Sequence, residues 1–197
     1  HPLDILVNNA ALTYFEPVAK FRRDKWLKST SVNCHGPFYM SQLCLQDMSK
    51  TNTQSAICNI SSSAAIGPGR GPYKNGEEYG NSVLYGAEKA FLERFTQGLA
   101  AEVYKNNVSV TCVSPSQIVP TPGVVYHKLL HGQPMESEMT MARSILLLCT
   151  ESLDRITGRV CYSQEILKEF GKKLWKEDSN IPGGIGIDVP GSGYSKI

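Results

Sequence analysis

The feature that most constrains this chain is the alternation of short apolar segments with longer stretches of helical periodicity. Three of the apolar segments are rich in β-branched residues and apolar at nearly every position. This composition is typical of strands that are buried on both faces of a parallel sheet. A fourth segment shows the same pattern more weakly. The predicted strands cover residues 3–10, 56–60, 108–113 and, for the weaker segment, 159–162.

Helical stretches separate these strands. The first covers residues 24–50, with Asp24 as its predicted N-cap and Pro37 as a residue that should kink or interrupt it. The clearest covers residues 82–106, and a third covers residues 138–150. In the clearest helix, apolar residues step by four and predict one buried stripe, made of Ala87, Phe91, Phe95, Leu99 and Val103. The alternation predicts an α/β fold, with an open, mostly parallel sheet and helices on both faces.

A tyrosine and a lysine stand near one edge of this predicted sheet. Tyr85 and Lys89 lie in the first turns of the helix at 82–106, and their spacing places both side chains on one helix face. A phenol has an ordinary pKa of about 10, and a nearby cation favours its ionised form, as a general acid–base tyrosine requires. On spacing alone a surface pair is the simpler interpretation, because short motifs often match by chance.

Five segments, taken together, resemble the short-chain dehydrogenase/reductase family in their order and approximate spacing. They are LDILVNNAA at 3–11, SVNCHG at 31–36, ICNISSSAA at 57–65, YGAEK at 85–89 and VTCVSPSQIVPTP at 110–122. The resemblance covers about residues 3–162. It implies a Rossmann fold, NAD or NADP as the cofactor, and reversible hydride transfer between a carbonyl and an alcohol.

The resemblance also implies roles for particular residues. Tyr85 matches the proton donor and acceptor, and Lys89 would lower its pKa and hold the nicotinamide ribose. Ser62 would hydrogen-bond the substrate oxygen, although the serines at 61–63 could also form a simple strand-end turn. Asn33 matches an asparagine that supports a water-linked proton relay, or it could be a helix-interior residue bonded to backbone. The cofactor-contacting residues would be Asn9, Ala10, Tyr85, Lys89, Pro115 and Ile118.

The chain also departs from the family. The family's first strand and its T-G-x-x-x-G-x-G turn, which seats the cofactor pyrophosphate at a helix N-terminus, do not occur in it. We therefore predict a partial Rossmann fold whose first βαβαβ half is missing, in an N-terminally truncated chain. Residues 1–165 are the predicted C-terminal catalytic part, and residues 166–197 are a C-terminal extension whose last part should be mobile. A Gly/Pro-rich loop at 66–81 should overhang the substrate side.

Two functions follow from these observations. The resemblance predicts an NAD(P)-dependent oxidoreductase that acts on a small-molecule carbonyl or secondary alcohol, with Tyr85 as the general acid and base. The missing pyrophosphate turn favours an alternative: a catalytically inactive fragment that acts only as a binding or interaction module. The sequence names neither the substrate nor the preferred dinucleotide. Family members commonly associate, so a homo-oligomer is a further prediction.

Composition argues against several other classes. A net charge of +2, with 41% hydrophobic and 19% charged residues, is ordinary for a globular protein and gives no reason to expect nucleic acid as a partner. No apolar run approaches the length of a membrane span. The six cysteines and four histidines form no metal-ligand spacing, so we predict no metal site, and we expect the histidines to be surface or loop residues.

Cysteine usage also predicts the compartment. The cysteines form no C-x-x-C pair, and Cys58 and Cys112 lie inside apolar runs, where a thiol usually serves as a small core residue. A reducing, cytoplasmic location is the simplest interpretation. An alternative comes from the final Ser195-Lys196-Ile197, which resembles the peroxisomal S-K-L address.

Overall fold

The computed structural model describes residues 3–50, 53–73, 81–129 and 132–172. Four strands and seven α-helices form in this part of the chain. In chain order they are β1 (Ile5–Asn8), α1 (Arg23–Thr30), α2 (Gly36–Met48), β2 (Ser55–Ile60), α3 (Val83–Val103), β3 (Val108–Ser114), α4 (Pro122–Tyr126), α5 (Glu138–Thr150), α6 (Leu153–Ile156), β4 (Val160–Tyr162) and α7 (Ser163–Glu169).

The four strands form one parallel sheet in the order β1-β2-β3-β4. The register pairs Asn8 with Asn59 and Ser114 with Tyr162, so the carboxyl ends of the strands lie along one edge. Each predicted strand is present, with ends that differ by one or two residues from the predicted ones. The predicted α/β fold with a parallel sheet and flanking helices is therefore confirmed.

Two layers of apolar side chains pack on opposite faces of the sheet. One layer lies between the sheet and helices α2 and α3, and it contains Leu6, Cys44, Met48, Ile57, Leu99, Ala100, Val103, Val108 and Val110. The other lies between the sheet and helices α5, α6 and α7, and it contains Ala56, Cys58, Val113, Met141, Leu147, Leu148, Cys149, Ile156, Ile166 and Leu167. Alternate residues of β2 and β3 enter opposite layers, as the pleat of a strand requires.

Strand β1 differs from its prediction. Leu6 is buried, but Ile5 and Val7 are 41% and 38% exposed, so this strand is not covered on both faces. The reason is its position, because β1 is the last strand of the sheet while α5 packs over β2 and β3. Burial on both faces is confirmed for β2 and β3, in which every residue except Ile60 is buried.

The first predicted helix is present, with two differences in detail. Arg22, not Asp24, occupies the N-cap position, because the helix begins at Arg23 and the Asp24 carboxylate accepts two hydrogen bonds of 2.9 Å from the Arg22 guanidinium. The predicted interruption near Pro37 takes the form of a π turn at Ser31–His35, immediately before α2. Pro37 then lies in the first turn of α2, where a missing N–H is tolerated.

Helix α3 corrects the predicted apolar stripe. Leu99 and Val103 are buried as expected, but Ala87 and Phe91 are exposed. Toward the start of the helix the buried face consists of Glu88, Lys89, Leu92, Glu93 and Thr96. The strand ends supply hydrogen-bonding partners to Lys89 and Glu93, while the end of α1 and the π turn supply them to Glu88. Burial of a polar group costs little when the group is paired in this way.

The chain beyond β4 begins with α7. Ile166 and Leu167 of this helix belong to the core, so the predicted boundary at residue 165 falls inside a packed element. Residues 173–197, with the Ser195-Lys196-Ile197 tripeptide, lie outside the described residues, as does the 74–80 part of the predicted loop. None of the helices in the described ranges is both long and apolar enough to cross a membrane.

Candidate functional site

The candidate site lies where helix α3 passes the carboxyl ends of β1, β2 and β3. The ammonium of Lys89 donates a 2.7 Å hydrogen bond to the Ile60 carbonyl, at the end of β2. Gly86 brings the helix against the turn at Ser63–Ala65, since a Cβ added there would lie only 2.6 Å from the Ala64 carbonyl oxygen. A glycine at this position therefore sets the distance between α3 and the serine-containing strand end.

Tyr85 and Ser62 meet across this contact. Burial of Tyr85 raises the pKa of its phenol, a hydrogen bond with the Ser62 hydroxyl opposes this shift, and the nearby Glu88 charge adds to it. The Ser62 hydroxyl also accepts a 3.2 Å hydrogen bond from the Ala64 N–H, which fixes its orientation. The structure thus places both predicted hydroxyl groups together at one strand end.

Lys89 lies next to the Tyr85 ring, on the same face of helix α3. Its Nζ lies 5.6 Å from the centre of the Tyr85 ring, and it bonds the Ile60 carbonyl. Burial has the largest effect on the Tyr85 pKa and raises it, and a lowering of this pKa by Lys89 stays a prediction. Burial also lowers the pKa of Lys89, while Cys112, Glu88, Cys34 and Glu93 act in the opposite direction.

Asn33 lies in the π turn and is buried. Its side chain accepts a 2.9 Å hydrogen bond from the Leu12 N–H and donates a 2.6 Å bond to the Leu12 carbonyl. It also donates to Glu88 Oε2 at 2.6 Å. The side chain therefore holds the loop that follows β1.

The remaining predicted cofactor residues lie at two strand ends. Asn9 and Ala10 are exposed after β1, and Pro115 and Ile118 are half-buried after β3. Ile118 is held by its main chain, which accepts a 3.0 Å hydrogen bond from the Glu136 N–H and donates a weaker one to the Pro134 carbonyl.

Three site residues were missed by the sequence interpretation. Glu88 is 3% exposed and contacts Asn33, although it stands inside the YGAEK segment that drew attention to its neighbours. Phe15 packs edge-on against Tyr85, with ring centres 6.1 Å apart, and against His127 at 5.1 Å. A 3.1 Å hydrogen bond joins His127 to Thr13. No sequence signal could connect Phe15 with His127, because 112 positions separate them.

Among the described residues, no three His, Cys, Asp or Glu side chains are grouped so that they could hold a metal ion. The functional groups that meet at this site are a half-buried phenol, a hydroxyl, an ammonium and an amide.

Comparison with known proteins finds one matching family model and several curated oxidoreductases that resemble this chain. The family model for short chain dehydrogenase matches residues 1–126. L-xylulose reductase of Caenorhabditis elegans is 30% identical over 118 residues, which are 60% of this chain and 43% of that protein. The NADP-dependent 3-hydroxy acid dehydrogenase of Shigella flexneri is 34% identical over 117 residues, which are 59% of this chain and 43% of that protein. The matched part of the chain thus spans less than half the length of these relatives.

Solved structures resemble the fold. A 4-hydroxyisoleucine dehydrogenase complexed with NADH aligns with a TM-score of 0.65 and 22% identity, over 81% of this chain and 66% of that one. The 3-ketoacyl-(acyl-carrier-protein) reductase of Brucella melitensis, also complexed with NADH, aligns with a TM-score of 0.67 and 20% identity. This alignment covers 81% of our chain and 64% of the reductase chain. At these identities the likeness shows the fold.

Proposed function

The chain belongs to the short chain dehydrogenase family, and on this basis we propose that it forms the catalytic part of an NAD(P)-dependent oxidoreductase. The reaction is hydride transfer between a nicotinamide and a carbonyl or secondary alcohol substrate, with Tyr85 as the general acid and base. The observation that carries this proposal is the half-buried Tyr85 phenol, which lies beside the Ser62 hydroxyl and the Lys89 ammonium at the carboxyl ends of the strands.

The residues present fit the nicotinamide side of a dinucleotide. An ammonium has three donors, and Lys89 gives one of them to the Ile60 carbonyl, which leaves capacity for sugar hydroxyls. Asn9 and Ala10 are exposed at the neighbouring strand end. When bound, the cofactor would supply or accept the hydride. The residues that would hold it are Asn9, Ala10, Tyr85, Lys89, Pro115 and Ile118.

The chain's own groups would handle the proton. In the reductive direction the Tyr85 hydroxyl donates its proton to the substrate oxygen as charge develops there, and Ser62 donates a hydrogen bond to the same oxygen. The raised pKa of Tyr85 keeps the phenol protonated before the reaction, as a proton donor requires. The Lys89 ammonium, with its Nζ 5.6 Å from the centre of the Tyr85 ring, would stabilise the phenolate that remains.

The phenolate must then regain a proton. We assign this relay to Lys89 and to the main-chain carbonyl of Asn33, with water between them. The Asn33 side chain is engaged by Leu12 and Glu88, so it is not free for the task. The main-chain carbonyl is the other acceptor that Asn33 offers, so we assign the role to it.

Phe15 and His127 would form the substrate side of the site. Phe15 contacts both Tyr85 and His127, and the bond from His127 to Thr13 ties the segment after α4 to the loop after β1. These side chains offer an aromatic wall and a polar edge next to the reacting hydroxyl. The choice of substrate would depend on them.

Titration of the chain with NADH and with NADPH, followed by cofactor fluorescence, tests this proposal. We expect saturable binding of at least one dinucleotide, and we expect Lys89→Met to weaken it at least about tenfold through loss of a charged donor. Lys105→Met, at an exposed position after α3, is the matched control and should bind normally. Absence of binding to either dinucleotide would contradict the proposal and favour the alternative, a module that only binds a partner.

A further inference from the structure

Glu136 is a buried side chain between α4 and α5, and the proposed reaction gives it no role. It is 1% exposed. One carboxylate oxygen accepts a 2.7 Å hydrogen bond from Ser163 Oγ, and the other accepts a 2.9 Å bond from Gln164 Nε2. Ser163 and Gln164 are the first two residues of α7, and both are buried. The carboxylate is therefore tied by both of its oxygens to the start of α7.

Ser163 and Gln164 extend this bonding to Ser116, which follows β3. The Ser116 N–H donates a 3.0 Å hydrogen bond to Ser163 Oγ, and the Gln164 N–H donates a 3.0 Å bond to Ser116 Oγ. The two serine hydroxyl oxygens lie 3.2 Å apart. A hydroxyl has one proton and two acceptor sites, so Ser163, which gives its proton to Glu136, accepts from the Ser116 hydroxyl. The main chain and the side chain of Ser116 are thus both fixed.

The main chain of Glu136 holds the other end of the same loop. Its N–H donates a 3.0 Å hydrogen bond to the Ile118 carbonyl, and the Ile118 N–H donates a 3.3 Å bond to the Pro134 carbonyl. The 115–118 loop contains Pro115 and Ile118, two of the proposed cofactor contacts. Glu136 therefore holds this loop at two points, at Ile118 directly and at Ser116 through Ser163. Supporting hydrogen bonds of this kind fix the residues that contact a ligand.

We infer that Glu136 is a positioning residue for the cofactor: through Ser163 and Ile118 it holds the 115–118 loop in the place that receives the nicotinamide end of the dinucleotide. This inference rests on the proposed function, in which Pro115 and Ile118 contact the cofactor. Glu136 acts by hydrogen bonding, so an amide of the same size should replace its carboxylate. Gln164 Oε1 has no hydrogen-bond partner within the described ranges, and a half-turn of the Gln164 amide would let this oxygen accept from such a group.

The test compares Glu136→Leu, which removes both acceptor oxygens, with Glu136→Gln, which keeps the pairing. NMR order parameters of the Ser116 and Ile118 amides report the mobility of the loop in the folded chain, whatever the global stability. Without cofactor, we expect them to fall from about 0.85 to below about 0.6 in Glu136→Leu and to stay high in Glu136→Gln. Glu138→Gln, at an exposed position, is the matched control and should leave them unchanged.

Titration with NADH and NADPH gives the second readout. We expect the dissociation constant to rise at least about tenfold in Glu136→Leu, because a loosened loop must be ordered again when the cofactor binds. In Glu136→Gln and in Glu138→Gln it should stay within about twofold of the value for the unmodified chain. A residue that only stabilised the fold would leave the dissociation constant of the folded variant unchanged.

Unchanged order parameters or an unchanged dissociation constant in folded Glu136→Leu would overturn the inference. Equal losses in Glu136→Gln would overturn it too, because charge would then be what the site requires. Ser163→Ala, which cuts the path to Ser116, serves as a second variant if Glu136→Leu does not fold, with the same expected changes. Failure of both variants to fold would also overturn it. An unmodified chain that binds neither dinucleotide would refute the proposed function, whereas the order parameters, measured without cofactor, would still decide whether Glu136 holds the loop.

Discussion

Replacement of Gly86 by alanine tests how the site is held together. The new Cβ would lie 2.6 Å from the Ala64 carbonyl oxygen, whereas real contacts of this kind essentially never fall below 3.0 Å. Helix α3 or the turn at Ser63–Ala65 must therefore move by at least about 0.4 Å. Both are backbone, which cannot rotate away as a flexible side chain can.

Two opposing effects determine how far Gly86→Ala changes the free energy of unfolding. Alanine is a better helix former than glycine by about 1 kcal/mol. Overpacking a rigid contact typically costs about 1–3 kcal/mol, and a clash with backbone belongs in the upper half of that range. The net expectation for Gly86→Ala is a decrease of about 1–2 kcal/mol in the free energy of unfolding. Displacement of Tyr85 from Ser62 should also lower turnover, by less than the roughly hundredfold loss that a misplacement of about 1 Å can cause.

Gly98 provides the matched control. It lies in the same helix and is exposed, and a Cβ there would meet only the end of the Arg94 side chain, at an ordinary distance of 3.5 Å. Gly98→Ala should therefore stabilise the chain by about 0.5–1 kcal/mol. Urea denaturation followed by circular dichroism measures both variants. If Gly86→Ala stabilised the chain as much as Gly98→Ala, the close approach of α3 to the turn would be refuted.

Three further changes test the core, the buried acid and the hydroxyl pair. Leu148→Ala, at a fully buried site, should lower the free energy of unfolding by about 2–5 kcal/mol, whereas Leu146→Ala, at a site 62% exposed, should change it by less than about 0.5 kcal/mol in the same urea assay; equal effects would contradict the core assignment. Burial raises the pKa of Glu93 above its ordinary 4.5, so the folded state binds this proton more tightly than the unfolded state does. The free energy of unfolding should then fall as the pH rises from about 4.5 through the raised pKa, and Glu93→Gln should remove this fall. The same pH dependence in Glu93→Gln as in the unmodified chain would contradict this assignment. Ser62→Ala should reduce turnover by about a hundredfold or more, whereas Ser63→Ala should retain it, and the reverse order would move the assignment to Ser63.

The sequence predicted the frame of this fold because its signals are local. Short β-branched runs and helical periodicity gave four strands and the long helix α3 with nearly correct ends. The first helix shows where local signals stop: Asp24 has the chemistry of an N-cap, but a bidentate bond with Arg22 uses its carboxylate. The exposure of Ile5 and Val7 was also beyond reach, because it depends on which strand lies at the end of the sheet.

The candidate site was predictable only in part, for a similar reason. Tyr85 and Ser62 could be named because each follows a recognisable pattern near a strand end. The contacts of Glu88 could not, since its partners Ser29 and Asn33 lie 59 and 55 positions away. Periodicity also misled at this point, because it assigned the apolar Phe91 to the buried face.

Carbonyl-dependent oxidation of NADH and NADPH, measured with a panel of ketones and aldehydes, tests the central claim most directly. The account predicts oxidation by the unmodified protein and a loss of at least about a hundredfold in Tyr85→Phe, which lacks the proton donor. Tyr104→Phe, at an exposed position beyond the far end of α3, should retain the full rate. A Tyr85→Phe variant that oxidised the cofactor as fast as Tyr104→Phe would contradict the account.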